Sequence, residues 1–451
     1  MTVLYAQELL TTEGWLRAAR VHLVADRIVA IESGVSAQAG DERHAVIVPA
    51  MPNVHSHAFQ RGMAGLAERR GSDGDDFWSW REVMYRFASR ITPEQLEAIA
   101  AQAYVEMLEA GFGRVGEFHY LHHDIAGRRF ADPAEMAGRI AAAAAQTGIA
   151  LTLLPVFYAH ASFGGTAPQP SQERFVLDLD GYGRLVERCQ ALTAALPGGV
   201  SGMAPHSLRA VTSAELAEVV RMLPEAPVHI HVAEQLAEVH DCVAWSGLRP
   251  VRWLLEHMDV DARWCLVHAT HADATEIEAI ARSGASVGLC PVTEANLGDG
   301  IFPVAGFIAA GGQFGVGTDS NVCISLAAEL SLLEYAQRLV HQSRNVIGLE
   351  ACSTGMALFR RALAGGARAL GVANAGIAVG HVADLVSLAR DEPAMLCRSG
   401  DAWMDAWLFA SPNNAVDCVW VGGRKQVEHG RHRQRDRVRR VYRQAIQALC
   451  A

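Results

Sequence analysis

Two histidines separated by one residue, His55 and His57, close an apolar run that begins at Ala45. Side chains alternate between the faces of a strand, so residues two apart point the same way, and two imidazoles there can grip one cation. Read alone, the pair is equally well two polar side chains satisfied at a strand end. Three later apolar runs change the balance, because each ends in a residue that a metallohydrolase uses: His231 followed by Glu234, then His268, then Asp319. Three neutral imidazoles and one carboxylate (His55, His57, His231 and Asp319) form a donor set suited to Zn²⁺, whose Lewis acidity lowers the pKa of water from 15.7 to about 7. Fe²⁺ or Mn²⁺ would be accepted by the same set.

A hydrolysis that releases a nitrogen also needs a group to carry a proton from water to the leaving atom. Glu234, three residues past His231, is placed for that role. His268 could contact the metal or stabilise a tetrahedral intermediate as a donor, and Asp319 could take a proton as well as hold the ion. His229 shares the face of His231 one layer deeper, which points to hydrogen bonding in the core. The number of ions follows from a different residue. Lys425 is the only lysine and lies far beyond the last candidate ligand, so a carboxylated lysine bridging two ions has no source, and a single ion is expected.

These residues need a frame. The chain has 451 residues and is 50% hydrophobic, enough for one large core and a smaller one. Apolar runs at 45–52, 113–119, 150–157, 200–205, 227–233, 263–269, 285–290 and 313–317 make eight, separated by helix-period segments such as Pro93 to Ala110, Asp132 to Thr147, Ser213 to Leu223 and Asp273 to Arg282. Thr92 and Ser213 are the predicted N-caps. Strand and helix alternating in this way predict a parallel (β/α)₈ barrel, in which catalytic groups sit at the C-terminal ends of strands. The candidate residues fall there.

Short strands at Val3 to Ala6, Trp15 to Arg17, Val21 to Val24 and Ile28 to Ile31 cannot hold a core alone, and a second set appears at Asp384 to Leu388 and Asp417 to Val421, before the turn Gly422-Gly423. Both termini are therefore expected to form one small β-sandwich domain, residues 1–48 with 376–435, around a catalytic barrel at 49–375, followed by a C-terminal helix at 436–451. The segments 58–90 and 159–181 are long for barrel connections and read as walls, lids, subunit contacts or surface decoration.

Composition excludes several classes of function. A net charge of −10 argues against nucleic acid or an anionic membrane as the main partner. No basic segment followed by an apolar one opens the sequence, and no apolar stretch reaches the roughly 18 residues of a membrane span, so a cytoplasmic protein is expected. Nine cysteines without a Cys-x-x-Cys pair indicate neither a disulfide framework nor a thiolate zinc site.

The combination of His55-Ser56-His57, His231-Val232-Ala233-Glu234, His268 and Thr318-Asp319-Ser320 resembles the amidohydrolase superfamily in its single-metal deaminase branch. Four further stretches, Asn53 to Gly65, Gly116 to Tyr120, Ala204 to Arg209 and Cys290 to Gly300, resemble the members of that branch that act on N-formimino-L-glutamate. Ring deaminases of the branch usually carry Pro-x-Ser-Asn where this chain reads Pro291-Val292-Thr293-Glu294. The resemblance implies release of ammonia and N-formyl-L-glutamate in histidine degradation, with Glu234, His268 and Asp319 as catalytic groups. It also implies Gln60, Arg81, Tyr120, His206 and Arg209 as substrate contacts, and a homodimer is common for the architecture. Charge agrees, since two substrate carboxylates would be repelled by Glu234 and Asp319 unless cations such as Arg209 and Arg81 met them. Two other readings stay open: deamination of a purine, pyrimidine or related heterocycle, and a metal-binding barrel without catalysis.

Overall fold

The computed structural model describes residues 2–70, 76–349, 351–373, 375–411 and 415–451. Half-buried alternation from Thr2 to Glu32 produces three antiparallel strands, β1 (Thr2–Thr11), β2 (Gly14–Val24) and β3 (Arg27–Glu32). They are longer than the fragments expected: Trp15 to Arg17 and Val21 to Val24 lie within one strand. The apolar run at 45–52, expected as one barrel strand, is two strands in two sheets. It divides at Ala50 into β4 (Glu42–Pro49), beside β1, and β5 (Met51–Ser56), which opens the barrel. Both pieces are buried where they meet, so hydrophobicity does not mark the junction. The backbone does, since Ala50 N donates to Asp384 O while Met51 N donates to Gly111 O, one bond to each sheet.

The barrel continues through β6 (Phe112–His119), β7 (Ala150–Phe157), the short pieces β8 (Val200–Ser201) and β9 (Ala204–Pro205), β10 (Val228–Val232), β11 (Trp264–His268), β12 (Ser286–Leu289) and β13 (Gln313–Val316). All pair in parallel, and β8 with β9 acts as one stave along β7. Bridges Met203 to Val228 and Ser56 to Asp319 join the two sets of strands into a closed ring. Gly202 sits where β7 and the start of β10 press on this stave; a Cβ there would lie 2.5 Å from Leu154 Cδ2 and 2.8 Å from Pro227 O.

Helices cover the outside. Pro93–Glu109 is capped by Thr92 with Gln95 in a reciprocal box. The helix Ser213–Met222 is capped by Thr212 rather than the expected Ser213, because Glu215 stands three residues after Thr212 and completes the box, whereas a cap at Ser213 would face Leu216. The C-terminal helix expected at 436–451 runs Arg435–Cys450, and the short strand β17 (Arg431–His432) precedes it.

The terminal strands form one eight-stranded sheet in the order β17, β16 (Arg424–Glu428), β15 (Val416–Val421), β14 (Leu385–Leu388), β4, β1, β2, β3. Gly422 and Gly423, with φ of 53° and 69°, make the two-residue hairpin that the sequence signals. The sheet curls into a sandwich over Leu4, Leu9, Val21, Ile28, Ile47, Leu385 and Trp420, all buried, with contributions from both ends of the chain. The loop residues 58–90 and 159–181 are partly ordered as helix Phe77–Ala88 and the turn Pro170–Gln172, while 71–75 lie outside the described residues. Arg174 ties the two together, donating to Ala88 O, Ile91 O and His123 O.

Deleting residues 1–40 removes β1 to β3 and exposes Ile47, Leu385 and Trp420. The expected outcome is loss of soluble expression, checked by the soluble fraction against full-length protein; a soluble, cooperatively melting truncation would show that the barrel does not need its terminal sheet.

Candidate metal and active site

Closure of the barrel brings the first and last strands side by side. His57 N donates to Asp319 O and Asp319 N donates to His55 O, both at 2.9 Å, and Gly317 leaves the room: a Cβ there would lie 2.8 Å from both N and O of His55. His231 enters from β10, its backbone N bonded to His206 O at 3.0 Å. The donor atoms then converge. His55 Nε2 lies 3.2 Å from His57 Nε2 and 3.0 Å from His231 Nε2, and Asp319 Oδ1 lies 3.2 Å from His57 Nε2 and 3.5 Å from His55 Nε2.

Donors at about 2.0–2.1 Å from a tetrahedral ion would be about 3.3 Å apart, so these separations fit one Zn²⁺-sized cation. His57 donates its Nδ1 proton to Phe118 O at 2.9 Å and His231 donates its own to His206 O at 3.1 Å, which leaves both Nε2 lone pairs facing inward with no proton between them. Burial holds His57 and His231 below the usual imidazole range and His55 down to about 3. Burial would raise Asp319, but the hydrogen bond to His55 and the surrounding imidazoles outweigh it and hold the carboxyl below its usual range. A set of neutral imidazoles around an anionic carboxylate is the protonation state a divalent ion requires.

The turn that carries Asp319 is in left-handed backbone, as are Ala233, His268, Ala269 and Asn321. Such non-glycine residues cost about 1–3 kcal/mol each and persist where surrounding bonds over-determine them. Here Asn53 Nδ2 donates to Thr318 Oγ1, Thr318 N donates to Asn53 Oδ1, and Asn321 Nδ2 donates to Ser56 Oγ and His57 O. Glu117 accepts from Ala58 N at 2.7 Å just past His57, and burial pushes its carboxyl up to about 8. Residue type and spacing assign no role to Asn53, Glu117, Phe118, Glu294 or Asn321, although all but Asn321 lie in the stretches that carry the family resemblance. The two asparagines were findable, since each stands two residues from a proposed ligand.

His268 stands apart from the three converging imidazoles. Its Nδ1 donates to Glu294 Oε1 at 3.2 Å, and its Nε2 lies 3.8 Å from Glu234 Oε1 and 3.9 Å from Asp319 Oδ2. Burial would lower this imidazole, but Glu234, Glu294 and Asp319 push it up to about 10, which favours the charged ring as a donor. Burial pushes Glu234 up to about 7, near the value at which a carboxyl both takes and gives a proton at neutral pH. His229 donates to Ala369 O at 2.7 Å below the site and takes no part in it.

One cavity opens onto this arrangement. It is lined by His57, His231, Glu234, His268 and Asp319 together with all five expected contacts, Gln60, Arg81, Tyr120, His206 and Arg209. Its aromatic wall is Phe77, Trp80, Tyr85, Tyr158 and Phe175, of which all but Tyr158 come from the two long connections, 58–90 and 159–181, for which a wall is one of the expected roles. Gln60 Nε2 donates to Tyr120 OH at 2.9 Å, and among the described residues its buried Oε1 has no partner. His206 Nδ1 lies 3.1 Å from Ser207 Oγ, and burial followed by the charge of Arg209 holds the ring well below the usual range. Arg81 stacks on Trp78 at 4.3 Å and on Tyr85 at 5.5 Å, and Arg209 lies 5.8 Å from the same Trp78 ring. Among the described residues neither arginine has a carboxylate within 4.0 Å, and the buried Nε of Arg209 has no acceptor.

Comparison with known proteins agrees with this geometry. Residues 1–45 match the family model described as "Formimidoylglutamate deiminase HutF, N-terminal domain". The chain is 49% identical over 452 residues to a formimidoylglutamate deiminase of Pseudomonas aeruginosa, covering 100% of both, and 28% identical over 402 residues to an 8-oxoguanine deaminase of the same organism, covering 86% of this chain and 83% of that protein. A solved amidohydrolase from Brucella melitensis superposes with a TM-score of 0.97 at 54% identity over 100% of both chains. An adenosine deaminase structure from Xanthomonas campestris with bound zinc shares the fold, with a TM-score of 0.82 at 23% identity over 100% of this chain and 98% of that one. With residues 46–425 matching the "Amidohydrolase family" model and close relatives aligned from end to end, the chain belongs to the amidohydrolase family, whose members bind a divalent metal.

Proposed function

We propose that this chain hydrolyses N-formimino-L-glutamate to N-formyl-L-glutamate and ammonia, a step of histidine degradation, in the cytoplasm and as a homodimer, with one Zn²⁺ held by His55, His57, His231 and Asp319. The observation that carries the substrate is the pair Arg209 and Arg81, two guanidinium groups that have no carboxylate within 4.0 Å among the described residues and that line the same cavity as Glu234 and Asp319. A buried cation without a counter-ion is costly, and a ligand bringing two carboxylates supplies what is missing. A flat uncharged heterocycle would offer neither guanidinium a carboxylate to bind. The full-length relative named as a formimidoylglutamate deiminase supports the same reading.

The bound ion supplies Lewis acidity that brings the pKa of water near 7. The chain's own residues do the rest. Arg209 and Arg81, with His206, Gln60 and Tyr120, orient the glutamate portion so that the formimino carbon lies over the converging imidazoles. Water adds to that carbon, the carbon-nitrogen bond to the terminal nitrogen breaks, and both water protons leave with ammonia. Glu234 carries those protons in turn, taking each from oxygen and giving it to the departing nitrogen. His268, charged, donates from Nε2 to the oxygen side of the tetrahedral species, and Asp319, held ionised, keeps its negative charge beside that ring.

Ammonia release measured with formiminoglutamate, guanine, cytosine and adenosine tests the substrate: turnover confined to the first is expected, and turnover of a ring in its place would overturn the reading. Metal analysis should return about one tightly held divalent ion per chain, because Lys425 is committed to Glu42 and Glu428 on the terminal sheet. Two catalytic ions per chain would contradict that. Glu234→Gln should keep its metal and lose about 10²–10⁴-fold in kcat, the usual contribution of a proton shuttle; unchanged turnover would remove Glu234 from the mechanism. Arg209→Met should lower kcat/KM for formiminoglutamate by about 2–5 kcal/mol without changing metal content, since it removes a charge-assisted contact to a desolvated carboxylate. A substrate analogue lacking that carboxylate should be poor with the native enzyme and no worse with the variant.

A further inference from the structure

One carboxylate beside the site belongs neither to the donor set nor to the cavity wall. Glu294 rides on the short helix Pro291–Leu297 and is 5% exposed. Its Oε1 accepts from Cys290 N at 2.8 Å and from His268 Nδ1 at 3.2 Å. A carboxylate has no proton to offer, so the second bond requires that Nδ1 of His268 carry one. With Nδ1 committed, ring orientation is fixed and Nε2 is the edge that meets Glu234 and Asp319. The ring also stacks on His231 at 5.5 Å and 12°, which sets its plane but not which edge faces the substrate.

The helix that carries Glu294 is itself fastened to the site. Val292 N donates to the buried Glu329 Oε2 at 2.9 Å, and Thr293 Oγ1 lies 2.9 Å from Ser320 Oγ and donates to Thr318 O at 3.3 Å. Thr318 and Ser320 flank Asp319, so the helix shares its footing with a metal ligand. We propose that Glu294 is a positioning residue, which holds the His268 ring through Nδ1 so that Nε2 is presented to the reacting atoms in register with the Asp319 turn. A carboxylate that only capped the helix would need the Cys290 bond alone.

The inference rests on the deiminase reading, and the test separates the two. Zinc-loaded Glu294→Gln should lose about 10–100-fold in kcat, the usual effect of a partner behind a working imidazole, with KM within about threefold of native and zinc content unchanged. In a His268→Asn background the same substitution should produce no further loss. With histidines labelled in ¹⁵N, native protein should show a low-field Nδ1 proton that is absent from His268→Asn and shifted upfield in Glu294→Gln. That resonance needs no turnover, so it decides the question where His268→Asn activity falls below detection, and it stands even if formiminoglutamate is not hydrolysed. Native turnover in Glu294→Gln, an equal loss in both backgrounds, or a resonance unmoved by the substitution would each overturn the proposal.

Discussion

The site depends on the seam where the barrel's first strand meets its last. His55 and His57 lie on one side of that seam and Asp319 on the other, and two reciprocal backbone bonds at 2.9 Å set their spacing before any ion is bound. A ligand set assembled from distant segments pays conformational entropy for each side chain it orders. Here the seam fixes three of the four proposed donors as part of the fold. The remaining ligand, His231, is placed by its bonds to His206 O, one from the backbone and one from the ring. Gly317 matters for the same reason: any side chain there would push β13 away from His55 and open the donor set along with the barrel.

Charge is then distributed unevenly across a few ångströms. The imidazoles that converge are kept neutral by burial, while Asp319 stays ionised among them. Glu234, equally buried but farther from those rings, is pushed the other way. Two carboxyls with opposite displacements are a means of assigning one to hold charge and the other to move protons. The cations that complete the cavity line it beside its aromatic residues, on an otherwise acidic chain, so attraction for an anionic substrate is local to Arg81 and Arg209.

Much of this was legible in the chain itself, and the reasons for the gaps are physical. Barrel strands are buried on both faces and read as continuous apolar runs, which located the staves and put polar residues at their ends. The same property concealed the change of sheet at Ala50, because β4 and β5 are both buried there and no polar residue separates them. Position after a strand end sufficed to single out His231, His268 and Asp319. It could not reveal Glu294 or Phe118, which act through a carboxylate on a later helix and through a backbone carbonyl, neither of which has a signature in residue type.

The aromatic wall shows why specificity is harder to read than chemistry. Phe77, Trp80 and Tyr85 come from the helix Phe77–Ala88, Tyr158 follows β7, and Phe175 lies in the connection beyond it; Arg174 fastens these excursions to one another through backbone carbonyls alone. None of these segments contributes a donor atom to the ion. A change in the wall can therefore alter which molecule is held without moving any ligand, because the donor geometry is set by the barrel seam and the wall is set by loops stacked above it. Arg81 belongs to the second system and Arg209 stands at the border, two residues beyond the Ser207 bridge that secures His231. Of the two cations, Arg209 is thus the one whose position is inherited from the barrel, and Arg81 is the one that a rearrangement of the wall would carry away.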